Sequence, residues 1–190
     1  MSRLLMLLRG PSGHPLHPPL TDAAIGAYTV AAVLAVVGAA GGVEDAAGKG
    51  AWLALLVGLG ASVGAAVTGL AELSWIDRRS PTFRTGLLHM CAMLVATVLF
   101  ALAAIFQYDG FHDGAVTTAG LVLTVVAYIV LVFGGWLGGT IVFVHGQRVM
   151  SQPERPTSSA VSPWKRPLRE GAPEQRPRRT GDERLQSRSW

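Results

Sequence analysis

The chain has 190 residues, half of them hydrophobic, with a formal net charge of +4 and one cysteine. A single cysteine, Cys91, excludes a disulfide framework and any thiolate-built zinc or iron–sulfur site within one chain, and reads as a small apolar core residue. The apolar residues are gathered into four blocks nearly free of charge, Ala23–Ala40, Ala51–Ala71, Thr85–Phe106 and Ala115–Val144, a distribution that excludes a single water-soluble core.

Each block approaches or exceeds the roughly 20 residues that cross a hydrocarbon core of about 30 Å. Soluble helices need a polar face, and these blocks lack one. The reading is an all-α membrane protein, a four-transmembrane-helix bundle. Residues 1–22 form an N-terminal segment, 23–150 the transmembrane domain and 151–190 a tail. The start, Met1 to Arg9, has an apolar core too short for a secretory signal and no small-residue cleavage site after it, so it is expected to be retained.

Directly before the first block stands Gly13-His14-Pro15-Leu16-His17-Pro18-Pro19-Leu20-Thr21-Asp22. Proline has no N–H and disfavours helix in the residue before it, so this stretch is expected to be an extended clasp. Thr21 or Asp22 would cap the first helix, which stops at Gly41-Gly42. A loop with Glu44, Asp45 and Lys49 leads to the second helix, where Gly60-Ala61-Ser62-Val63-Gly64 has the spacing that lets helices approach closely in lipid. That helix ends at Glu72 and Trp75, and Pro81 marks the break before the third.

His89 lies little more than a turn beyond Arg84, roughly 7 to 8 Å along the third helix at about 1.5 Å per residue. Gln107 to Gly114 reads as a polar turn. The fourth helix holds Gly134/Gly138 and Gly135/Gly139, and His145 projects from the face of Gly138 two turns earlier. From Ser151 onward the composition turns to Pro, Arg, Ser, Glu and Gln, too polar to bury a core, so a disordered, basic cytoplasmic tail is expected. Its charge suits anionic headgroups rather than nucleic acid.

Arg3, Arg9, Arg78, Arg79, Arg84 and Arg148 flank the blocks on one side, against Lys49 on the other. The positive-inside rule then puts both termini in the cytoplasm. His14, His17, Asp22, Glu72, His89 and His145 fall near that one boundary, and His112 on the far side. Polar groups in spans usually face the bundle and mark ion, proton or cofactor sites. Histidine with carboxylate suits a transition metal, and two opposed histidines suit a haem iron. The glycines would admit a flat macrocycle, with arginines at its propionates. No nucleotide fingerprint or Ser/His/Asp arrangement is present.

Four stretches resemble one family of bacterial membrane proteins, domain of unknown function 2231, over most of residues 13–150. They are His14-Pro15-Leu16-His17-Pro18 with Leu20-Thr21-Asp22, Thr68-Gly69-Leu70-Ala71-Glu72, Arg84-Thr85-Gly86-Leu87-Leu88-His89, and Leu137-Gly138-Gly139 running to Gly146. Met93 and Thr140 depart from residues common in the family, an Asn and a His or Glu respectively. The resemblance implies association with Rieske iron–sulfur proteins, hence membrane electron transfer.

The combined expectation is a bacterial plasma-membrane protein binding haem b or a transition metal. His89 and His145 would be ligands within the bundle, His14 or His17 would cap the site, and Asp22 and Glu72 would orient it. Its partners would be the bilayer and a Rieske-type or other redox protein. The alternative is a non-catalytic membrane subunit whose clasp is structural and binds a partner protein.

Overall fold

The computed structural model describes residues 7–10 and 14–149; the expectations for the tail and for residues 1–6 lie outside the described residues. Among the described residues from His17 onward, five helices follow in order: α1 (His17–Ala39), α2 (Glu44–Leu73), α3 (Pro81–Phe106), a short α4 (Tyr108–Asp113) and α5 (Thr118–Phe143). The protein is an all-α membrane protein, and α1, α2, α3 and α5 are long and apolar enough to cross a bilayer. Large side chains on their outer faces, such as Val33, Val57, Val98 and Ile129, are more than half exposed. A water-soluble surface does not carry so continuous an apolar skin.

The helix starts correct the sequence reading in three places. α1 begins at His17, so Pro18 and Pro19 occupy its first turn rather than an extended clasp. The N–H groups of a first turn have no intrahelical acceptor, so proline gives up nothing there and its fixed φ suits the helix. Neither Thr21 nor Asp22 caps it: Leu16 is the N-cap without a side-chain bond, and the Thr21 hydroxyl donates back to His17 O at 2.9 Å. α2 likewise begins at Glu44, so Glu44, Asp45 and Lys49, expected in a loop before it, are in its first turns. Glu44 and Asp45 sit in its first turn, where the helix dipole favours negative charge, and Lys49 pairs with Asp45 one turn on. The chain turns instead through Gly41 and Val43, both at positive φ.

At the far end, the polar turn expected over Gln107 to Gly114 is the helix α4, organised by a buried Gln107. Its amide Nε2 donates to Ala115 O at 2.7 Å and its Oε1 accepts from Thr117 N at 3.0 Å. Cys91 is exposed rather than in the core.

α1 packs chiefly on α2, and α3 on α5, with far less contact between the two hairpins. The hairpins repeat one another. His17, Ala24, Tyr28, Ala31 and Ala32 on α1 share their spacing, residue for residue, with His89, Ala96, Phe100, Ala103 and Ala104 on α3. Apart from the histidines, all of these residues are buried. On the second helices Leu55, Gly58, Ser62, Thr68 and Gly69 match Thr124, Ala127, Leu131, Leu137 and Gly138. The halves meet where Tyr28 stacks on Phe100, ring centroids 3.7 Å apart and planes within 6°. The Tyr28 hydroxyl lies 3.0 Å from Ser62 Oγ, so its burial leaves no orphaned polar group. Parallel repeats of this kind place equivalent residues on either side of an axis along the membrane normal.

Candidate functional site

Toward the end of the bundle that carries the N-terminus of α1, the loosely packed hairpins leave a cavity of about 560 Å³. Its wall is largely apolar and includes His17, Met93, Thr97, Gly135 and Gly138, together with Pro15, Pro18, Glu72 and Arg148. Volume and apolar lining fall within the range that small-molecule pockets span.

His17 and His89 are held in equivalent ways. The Nδ1–H of His17 donates to Ala65 O on α2 at 2.9 Å, and that of His89 to Gly134 O on α5 at 2.8 Å. A carbonyl only accepts, so each bond fixes the proton on Nδ1 and leaves the Nε2 lone pair of the neutral ring free. Each ring rests on the glycine one turn further along: a Cβ on Gly69 would meet His17 Cε1 at 2.8 Å, and one on Gly138 would meet His89 Cε1 at 3.1 Å. These two glycines therefore seat histidine rings; of the two, Gly138 belongs to the glycine pairs that the sequence reading offered to a macrocycle. Gly60 of the expected contact motif has nothing within 4 Å, and the close helix approaches fall at Gly58 against Tyr28 and Gly69 against His17.

The two imidazoles stand 6.4 Å apart, centroid to centroid, with planes at 87°. Two metal–nitrogen bonds of about 2 Å, with half an imidazole ring on either side, span about 6 Å. The centroid separation matches that span, while the near-perpendicular planes set the two rings edge to face.

The remaining expected residues lie elsewhere. The ring facing His89 is that of His17; His145 Nε2 instead lies 3.1 Å from Thr85 Oγ1, and His145 is not in the cavity lining. His14 is exposed and also outside the lining, whereas Asp22 is exposed but reaches it. Glu72 forms ion pairs with Arg9 at 3.4 Å and Arg148 at 3.3 Å. Among the described residues no group of three or more His, Cys, Asp or Glu is assembled to hold a metal ion. The sequence reading used Arg9 for orientation alone and did not place it at the site, where its guanidinium also stacks 4.4 Å over Trp75; it overlooked the repeat, which aligning the chain on His17 and His89 would have shown.

Fold and cavity together define a four-span membrane protein with a histidine pair between two equivalent hairpins. A family model described as predicted membrane protein (DUF2231) matches residues 13–151, and the chain belongs to that family. Comparison with curated proteins and with solved structures gives no match.

Proposed function

We propose that the protein holds an iron porphyrin of the haem b type between His17 and His89 and serves as an electron carrier in the bacterial plasma membrane. The observation that carries this reading is the 6.4 Å spacing of two imidazoles whose Nδ1 atoms are both committed to backbone carbonyls. A two-histidine donor set suits a metal that brings its own equatorial nitrogens. The repeat supports it too, because two equivalent hairpins would hold the group from either side through His17 and His89, each fixed by an equivalent backbone carbonyl. Bound there, the group would supply one-electron chemistry. The chain's own part is to fix both ring orientations through Ala65 and Gly134, and to surround the site with apolar walls. In this reading the termini are cytoplasmic, the site lies toward that face, and the redox partner is a Rieske-type or similar protein, as the family resemblance implies.

The test is an absorption spectrum and haem quantitation of the detergent-purified chain from a haem-replete host. One haem per chain with a six-coordinate Soret band is expected. A colourless protein that takes up no added haem overturns the reading and favours a non-catalytic subunit.

A further inference from the structure

The two hairpins match at their histidines and differ at the rim. Glu72 stands on α2 where the repeat has Ile141 on α5, and it gathers two arginines. Arg9 Nη2 lies 3.4 Å from Glu72 Oε2, and Arg148 Nη2 lies 3.3 Å from Oε1. These are long for charge-assisted bonds, which run to about 2.7–2.9 Å. Arg148 Nη2 also donates to Arg9 O at 2.8 Å, tying the end of the α5 segment to the N-terminal segment. Buried Arg148 Nε and Glu72 Oε1 have no hydrogen-bond partner among the described residues. Three charged residues, Asp22, Glu72 and Arg148, line the cavity, and of these Arg148 alone is a cation. Asp22 is exposed, whereas the Arg148 side chain is only 20% exposed.

We propose that Arg148, supported by Arg9 and Glu72, is the binding site for a carboxylate on the edge of the ligand that His17 and His89 hold. This inference rests on the porphyrin reading and gives the ligand a direction: acid edge at the rim with Arg148, the rest against the apolar lining around Ala24 and Met93. The geometry favours an acid over a neutral ring because Arg148 has an unmatched N–H donor in a mostly apolar wall. An unmatched buried donor is costly, and a planar guanidinium fits a carboxylate with two parallel bonds. Glu72 neutralises one guanidinium and leaves the second unbalanced.

The experiment titrates the haem-free full chain, in a neutral maltoside detergent, with ferric protoporphyrin IX and with its dimethyl ester. The diacid should bind about tenfold more tightly than the ester, the equivalent of one charge-assisted bond. R148Q should shrink that ratio to below about threefold while the Soret position, which reports histidine ligation, stays fixed; R148K should retain part of the ratio. R9Q gives the same comparison through the neighbouring guanidinium should R148Q fail to insert. Equal affinity for acid and ester in the parent chain, with a normal Soret band, overturns the carboxylate site and leaves the histidine pair standing. If neither porphyrin gives that band, both readings are overturned. Loss of the acid–ester ratio on adding phosphatidylglycerol would assign Arg148 to lipid phosphate and overturn this inference alone.

Discussion

The imidazole of His17 lies against the bare backbone of Gly69, where an added Cβ would stand 2.8 Å from its Cε1. Position 69 accepts no side chain without moving the ring. The ring is pinned by its bond to Ala65 O, so Gly69→Ala forces either that bond or the helix spacing to give. Overpacking of this kind costs about 1–3 kcal/mol. The expected result is a lower thermal midpoint and a weakened or shifted Soret band. Gly138→Ala should act in the same direction and less, since its contact is 3.1 Å. Gly26 has open space around it, so Gly26→Ala should be neutral or stabilising by up to about 1 kcal/mol. Equal effects at all three positions would count against the ring seats.

His17→Ala and His89→Ala should each abolish the six-coordinate spectrum, while membrane insertion persists because the spans owe it to their apolar residues. His145→Ala should leave the spectrum unchanged, since His145 engages Thr85. His112→Ala should do the same: that ring packs on Tyr108 and Phe111 of α4. A spectrum lost with His145 and kept without His17 would reverse the ligand assignment.

Gln107 is 2% exposed and joins α3 to the start of α5 through Ala115 and Thr117. Gln107→Leu leaves both backbone groups without these partners. The expected loss is about 2 kcal/mol or more in detergent unfolding, at about 1–3 kcal/mol for each unsatisfied group. Porphyrin affinity should change little, because Gln107 is not among the cavity residues. A loss below about 0.5 kcal/mol would mean that water replaces the side chain.

The orientation predicts that reporters fused after Met150 and inserted at Gly42 answer from opposite compartments, with Met150 cytoplasmic. Protease protection in oriented vesicles checks it. A periplasmic Met150 would move the histidine pair and the Arg148 rim to the other face without altering their geometry.

Four spans were legible in the sequence because lipid acts on composition: a run near 20 apolar residues has one stable solution, a helix with its backbone bonds satisfied internally. The same logic marked His17, His89 and Glu72 as costly residues near span ends. Helix starts were less legible. Pro18 and Pro19 break a helix interior yet suit its first turn, and only the position of the preceding turn separates the two cases. Partner choice depended on tertiary structure. His89 lies on α3 and His145 in the turn just past the end of α5, near the same boundary, but the direction of each ring is set by its neighbours. The carbonyl of Gly134 turns His89 toward the cavity, and Thr85 engages His145 outside its lining. The sequence alone determined which residues sit near the rim, through the cost of burying polar groups in lipid. Only the packing of α1 on α2 and α3 on α5 decided that His17 and His89 are the pair, because the two small residues that admit the rings, Gly69 and Gly138, belong to helices the histidines do not.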